Sequence, residues 1–71
     1  MTVAGYTTAD GGLLVVVEDS LGRRVGDVET LADPFSPRVR RDVAWLCQKT
    51  GCDRRDAWRV IWAAFVREAA A

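Results

Sequence analysis

The feature that most constrains this chain is a pair of apolar stripes at helical spacing, separated by one glycine. Val39, Val43, Leu46 and Cys47 recur three and four residues apart, the pattern of a helix with one buried face. The spacing predicts a first helix from about Pro37 to Lys49. Ser36-Pro37 suits its start, an N-cap followed by proline at the first helical position. Thr50-Gly51 ends it, because glycine accepts the left-handed conformation that closes many helices. Asp53 is then placed to cap a second helix, with Asp56 three residues on able to reach back as a capping-box variant. That helix runs to about Ala69, and Trp58, Ile61, Trp62, Phe65 and Ala69 gather within about 100° on its wheel.

Upstream the period changes. Leu13-Leu14-Val15-Val16-Val17 has three β-branched residues in a row and reads as a strand apolar on both faces. Such a strand calls for cover on both faces, by the helices on one and by a second subunit on the other. Asp19-Ser20-Leu21-Gly22 suits a type I turn with Gly22 left-handed. The return strand extends from Arg23 to about Leu31, and a bulge at Gly26 would bring Val25 and Val28 to one face. Residues 1–12 end in Ala9-Asp10-Gly11-Gly12 and read as a loose arm, at most an edge segment around Val3 and Tyr6. Pro34 and Pro37 then separate strands from helices. The expected fold is one small α+β domain, an N-terminal β-hairpin (13–31) followed by two α-helices (37–69) joined by a tight Gly turn.

At 71 residues, a single core lies near the margin of independent stability. The apolar arc of the second helix is wider than the first can cover. A homodimer would answer both needs, with Trp58, Ile61, Trp62 and Phe65 supplying core and dimer surface.

Several classes of function drop out. The chain has no histidine, so it lacks the ordinary proton shuttle of neutral pH and any Ser/His or Cys/His pair. The expectation is that it is not an enzyme. Cys47 and Cys52 stand alone without the paired short spacings of a zinc site and read as buried small hydrophobes. No motif calls for a metal or cofactor. No apolar run approaches the roughly 20 residues of a membrane span, and the N-terminus lacks a signal-peptide pattern. The chain is expected to be cytoplasmic with reduced thiols. Nine Arg against a single Lys suggests a GC-rich genome such as that of a bacterium, plasmid or phage.

Ten basic and ten acidic residues sum to zero, which on its face argues against a polyanionic partner. The zero is a sum of unlike halves. Residues 1–35 hold two arginines against six acids, a net of −4, and residues 36–71 hold eight basic residues against four acids, a net of +4. Such asymmetry often marks a charged partner.

The stretch Cys47–Ile61 resembles the helix-turn-helix of bacterial regulators. That pattern has a small residue where the helices touch, a turn glycine four positions later and an apolar residue six beyond it. Cys47, Gly51 and Ala57 stand at those places. The resemblance implies a recognition helix carrying Arg54, Arg55 and Arg59, with Arg38, Arg40, Arg41 and Lys49 as phosphate contacts. The same stretch, through Thr50-Gly51, Asp53 and the Trp58/Ile61/Trp62/Phe65 stripe, also resembles a ribbon-helix-helix protein, which would make Arg23 or Arg24 the ribbon contacts. Either resemblance implies DNA as partner and a transcriptional regulator, phage- or plasmid-type, as function. A protein partner is the competing expectation, as for a phage-type inhibitor or an antitoxin-like module. It would dock on the acidic hairpin or on Trp45, a tryptophan set among Arg38, Arg41 and Lys49 opposite the buried stripe.

Overall fold

The computed structural model describes residues 1–30 and 33–70. Three strands come first, β1 (Thr2–Thr7), β2 (Leu13–Glu18) and β3 (Arg24–Thr30), followed by helices α1 (Pro37–Thr50) and α2 (Arg54–Ala70). The strands form an antiparallel meander with β2 in the centre. The protein is α+β as expected, with one strand more than a hairpin.

That strand, β1, occupies the segment expected to be a loose arm. Its residues pair in register with β2 from Thr2 opposite Glu18 to Thr7 opposite Leu13. The side chains conceal it because the positions facing the helices are Val3, Gly5 and Thr7, only one of them strongly apolar. The strand is fixed by backbone hydrogen bonding, which leaves no periodic apolar signature. Gly5 is where α2 crosses, and a Cβ there would overlap Val60 Cγ1.

The β2–β3 turn forms as its residues predict. Gly22 N–H donates to Asp19 O at 3.0 Å, Gly22 is left-handed at φ 78°, and Asp19 N–H donates to Arg23 O at 2.9 Å. The Asp19 carboxylate accepts from the Leu21 and Arg23 amides, each at 2.9 Å. The register shift lies between Val17 and Glu18, which face Gly26 and Arg24, so Val25 is the extra residue. Val28 packs against the core while Val25 remains exposed. The expected sharing of one face by Val25 and Val28 does not occur, because the bulged residue itself is turned out of the alternation. The predicted end of this strand at Leu31 lies outside the described residues.

The Asp19 carboxyl is held below the usual carboxylate value, first by the Arg23 amide and then by Leu21 and the Arg23 side chain. A depressed folded pKa contributes stability that is present above the unfolded value, near 3.9, and is lost as pH falls through the folded one. The difference in thermal stability between the native chain and Asp19→Asn should therefore be largest at neutral pH. It should shrink as pH drops from about 4, as melts along a pH series would show.

Both helices pack on one face of the sheet. Leu13, Val15 and Val17 of β2 meet Val39, Val43, Leu46 and Cys47 of α1 and Ala57 and Ile61 of α2 in one cluster. The expected α1 stripe is thus its buried face. Among the described residues no helix covers the other sheet face, so the two-sided cover expected for β2 is not supplied by helices of the single chain. Val16, on that face between Ala4 and Asp27, is nonetheless 1 % exposed.

In α2 the buried line differs from the expected one. Ala57 and Ile61 are fully buried, Trp58 and Phe65 partly, and Trp62 is 42 % exposed. Close approach to α1 and to the sheet selects the small residues Ala57 and Ala64, and the large rings are displaced to the flank. Trp62 is therefore not a core residue of the single chain. The Ala69 side chain lies outside the described set.

Candidate nucleic-acid interface

The interface is built on the turn between the helices. Gly51 is left-handed at φ 77° and ψ 11°, and its N–H donates to Cys47 O at 2.8 Å, closing α1. Thr50 Oγ1 donates to Leu46 O at 2.8 Å and accepts from Cys52 N–H at 3.2 Å, tying the turn to the last turn of α1. Asp53 caps α2 as expected, its carboxylate accepting from Arg55 N–H at 2.8 Å. Asp56 does not reach back to complete a capping box. It lies 3.4 Å from Arg59, one turn along the surface. Ser36 is extended at the start of α1, but its hydroxyl makes no capping hydrogen bond. Because Asp53 satisfies the start of α2 from within the chain, an incoming anion would have to be met by guanidinium groups rather than by free helix amides.

The basic side chains divide into two groups. Arg38 lies 4.0 Å from Asp42 and lines a cleft with Asp10 and Glu29 at the acidic end of the sheet. Arg59 has Asp56, and the Lys49 ammonium sits 4.9 Å above the Trp45 ring. Arg40, Arg41, Arg54 and Arg55 are all exposed and, among the described residues, their guanidinium groups have no carboxylate within 4.0 Å. Arg40 and Arg54 come together from different helices, lining one cleft with Val43, Ala44 and Trp58.

The acidic residues of the sheet half are occupied locally or face away. Asp19 pairs with Arg23 at 2.9 Å and Asp27 with Arg24 at 3.6 Å. The register sets Glu18, Asp27 and Glu29 on the sheet face opposite the helices. Among the described residues no ion pair joins the sheet half to the helix half. Glu18, Asp27 and Glu29 thus make the outer sheet face acidic, while most of the exposed basic side chains lie on the helices, with Arg38 meeting Asp10 and Glu29 where the two halves adjoin.

Two apolar features complete the surface. Trp45 is 49 % exposed. Phe35, which sits between the two prolines and belongs to no periodic stripe, makes edge-to-face contacts with Trp62 at 5.8 Å and Phe65 at 6.4 Å, and these two meet at 5.6 Å. Phe35 is 67 % exposed, and Val66 lies exposed farther along α2. No sequence period could have placed Phe35 there, since it reaches α2 only through the tertiary fold.

Cys47 and Cys52 are buried, as their sequence context suggested, with the sulfurs 3.4 Å apart and the Cys52 thiol donating to Cys47 Sγ. Burial pushes the Cys47 thiol up to about 11. Among the described residues no cluster of three or more metal-ligating side chains forms, and no helix is long and apolar enough to cross a membrane. Comparison with protein-family models, curated proteins and solved structures returns no match.

Proposed function

We propose that the protein is a small homodimeric DNA-binding transcriptional regulator, phage- or plasmid-type and cytoplasmic, that meets the duplex with the outer surface of its helix pair. The observation that carries this reading is that the exposed guanidinium groups of Arg40, Arg41, Arg54 and Arg55 have, among the described residues, no carboxylate within 4.0 Å. Unpaired guanidinium groups suit phosphate, which they can grip with two parallel hydrogen bonds. The surface ion pairs of Arg38 and Arg59 are each worth about 0–1 kcal/mol, so a polyanion can displace them. The helix-turn-helix resemblance adds a role for the start of α2, where Arg54 and Arg55 would approach base edges while α1 holds the backbone.

Binding of a mixed-sequence labelled duplex should be measurable at low salt and fall steeply as salt rises, because each phosphate contact releases counterions. Absence of binding at low salt overturns the reading.

The dimer is supported by the exposed Phe35, Trp62 and Val66 grouped around the partly buried Phe65, a composition common at buried interface centres. Sedimentation equilibrium of Trp62→Lys should give a monomer at concentrations where the native chain is a dimer. Its circular dichroism should be unchanged, because Trp62 is peripheral to the core. A native chain that sediments as a monomer throughout removes the dimer from the proposal.

A protein partner is the second reading, favoured by one observation, the half-exposed Trp45 ring beneath the Lys49 ammonium. Recovery of a specific protein after nuclease treatment, lost in Trp45→Ala, would favour it over DNA.

A further inference from the structure

We propose that Cys47 and Cys52 form a thiol–disulfide site, a dithiol that exchanges with a small anionic disulfide such as oxidised glutathione and closes into a bridge across the α1–α2 turn. The inference does not rest on the DNA reading. It rests on three features of the turn. The two sulfurs are 3.4 Å apart, so a bond of about 2.05 Å needs them to approach by only about 1.4 Å, within reach of side-chain torsion. They also line a cleft open between the helices, together with Ala44, Gln48, Gly51 and Arg54. Gly51 leaves that opening clear, since nothing stands within 4 Å of where its Cβ would be. Finally, the Arg54 guanidinium at the cleft supplies a positive field for the carboxylates of glutathione.

The exchange balances in two steps. The Cys52 thiol, which belongs to neither helix, loses its proton to solvent and attacks one sulfur of the glutathione disulfide. A Cys52–glutathione bond forms, the glutathione S–S bond breaks, and one glutathione thiolate leaves. Cys47 then gives up its proton and attacks Cys52 Sγ, breaking the mixed disulfide and releasing the second glutathione. The protein loses two electrons and two protons, and one glutathione disulfide becomes two glutathiones.

Since burial, the largest cause of the raised Cys47 thiol, does not depend on the Cys52 thiol, the second step should quicken as pH rises through the neutral and mildly alkaline range. The bridge encloses only the four residues Gln48 to Gly51. A loop so short gains little from chain-entropy stabilisation, which keeps the bond reducible. Closure would join the last turn of α1 to the residue before the α2 cap, fixing the segment from which Arg54 and Arg55 project.

The test is intact mass after the folded, reduced full chain is incubated with oxidised glutathione at several pH values and quenched with acid. The expected product is two hydrogens lighter than the starting chain, carries no glutathione, forms faster at higher pH and reverts with excess dithiothreitol. Cys47→Ser should instead accumulate a single glutathione adduct. Circular dichroism checks that this variant is folded, and the result for the native chain holds without it. Three outcomes overturn the proposal: glutathione adducts on the native chain that persist at the highest pH tested, covalent linkage between two chains, or no reaction when the same chain reacts in denaturant.

Discussion

Replacing Arg40 and Arg54 together with glutamine should lower the salt dependence of duplex binding by about 3.6 in the log–log slope. That figure follows from two lost phosphate neutralisations per chain, four per dimer, each contributing about 0.9. The affinity at low salt should fall on the order of 100-fold, equally for all duplex sequences, because phosphate contacts carry no base information. The pair is chosen because the two arginines come from different helices into one cleft with Trp58 and, among the described residues, have no carboxylate to release. Arg23→Gln with Arg24→Gln is the matched control. It removes the same charge from the sheet half, where both arginines are already paired with Asp19 and Asp27. A slope unchanged in the first variant, or reduced equally in the control, would show that the helix pair is not the contact surface.

The control matters because net charge alone cannot direct a neutral protein to DNA. At physiological salt, fields from exposed charges decay over about 8 Å. A basic surface separated from an acidic one by the thickness of a sheet and a helix layer can therefore attract a polyanion while the whole molecule stays near zero. Among the described residues the ion pairs are all local, three or four residues apart, so each half satisfies part of its own charge. Arg38 is the exception, turned toward Asp10 and Glu29, and is the weakest of the seven helix-pair candidates.

The sequence made legible those parts of the fold that depend on side-chain spacing. Val39, Val43, Leu46 and Cys47 form the buried face of α1, and Gly51 and Asp53 bound the turn as expected. Asp19 and Gly22 likewise specify the hairpin turn through hydrogen bonds within a few residues. What escaped was decided by tertiary approach. β1 is held through its backbone and has glycine where α2 passes. α2 rotates to put Ala57 and Ile61 inward, leaving Trp62 at the edge. The charges of the candidate site were countable from the sequence, but which arginines keep free guanidinium groups depends on the rotation of both helices. The contact of Cys47 with Cys52 likewise required the turn to bring two buried sulfurs together.

Gly26→Ala should destabilise the protein by about 1–3 kcal/mol, a fall in melting temperature of roughly 4–24 °C for a domain of this size. Gly26 is buried on the helix-facing side of β3, opposite Val17. Its φ is not positive, so the backbone itself accepts alanine. The obstacle is space, because an added Cβ would overlap Thr50 Cγ2 and stand 3.3 Å from Leu46 Cδ1. Thr50 cannot simply rotate away, since its hydroxyl donates to Leu46 O and accepts from Cys52 N–H. Either those bonds break or the end of α1 lifts from the sheet. Thr50→Ser removes the clashing methyl and keeps the hydroxyl, so it should suppress Gly26→Ala. The double variant should be more stable than Gly26→Ala alone, with a coupling of about 1 kcal/mol or more in a double-mutant cycle. Simple additivity in denaturant melts would mean that Gly26 is not where the sheet receives α1. Suppression would show that one methyl-sized gap sets how closely the basic helix pair lies on the acidic sheet.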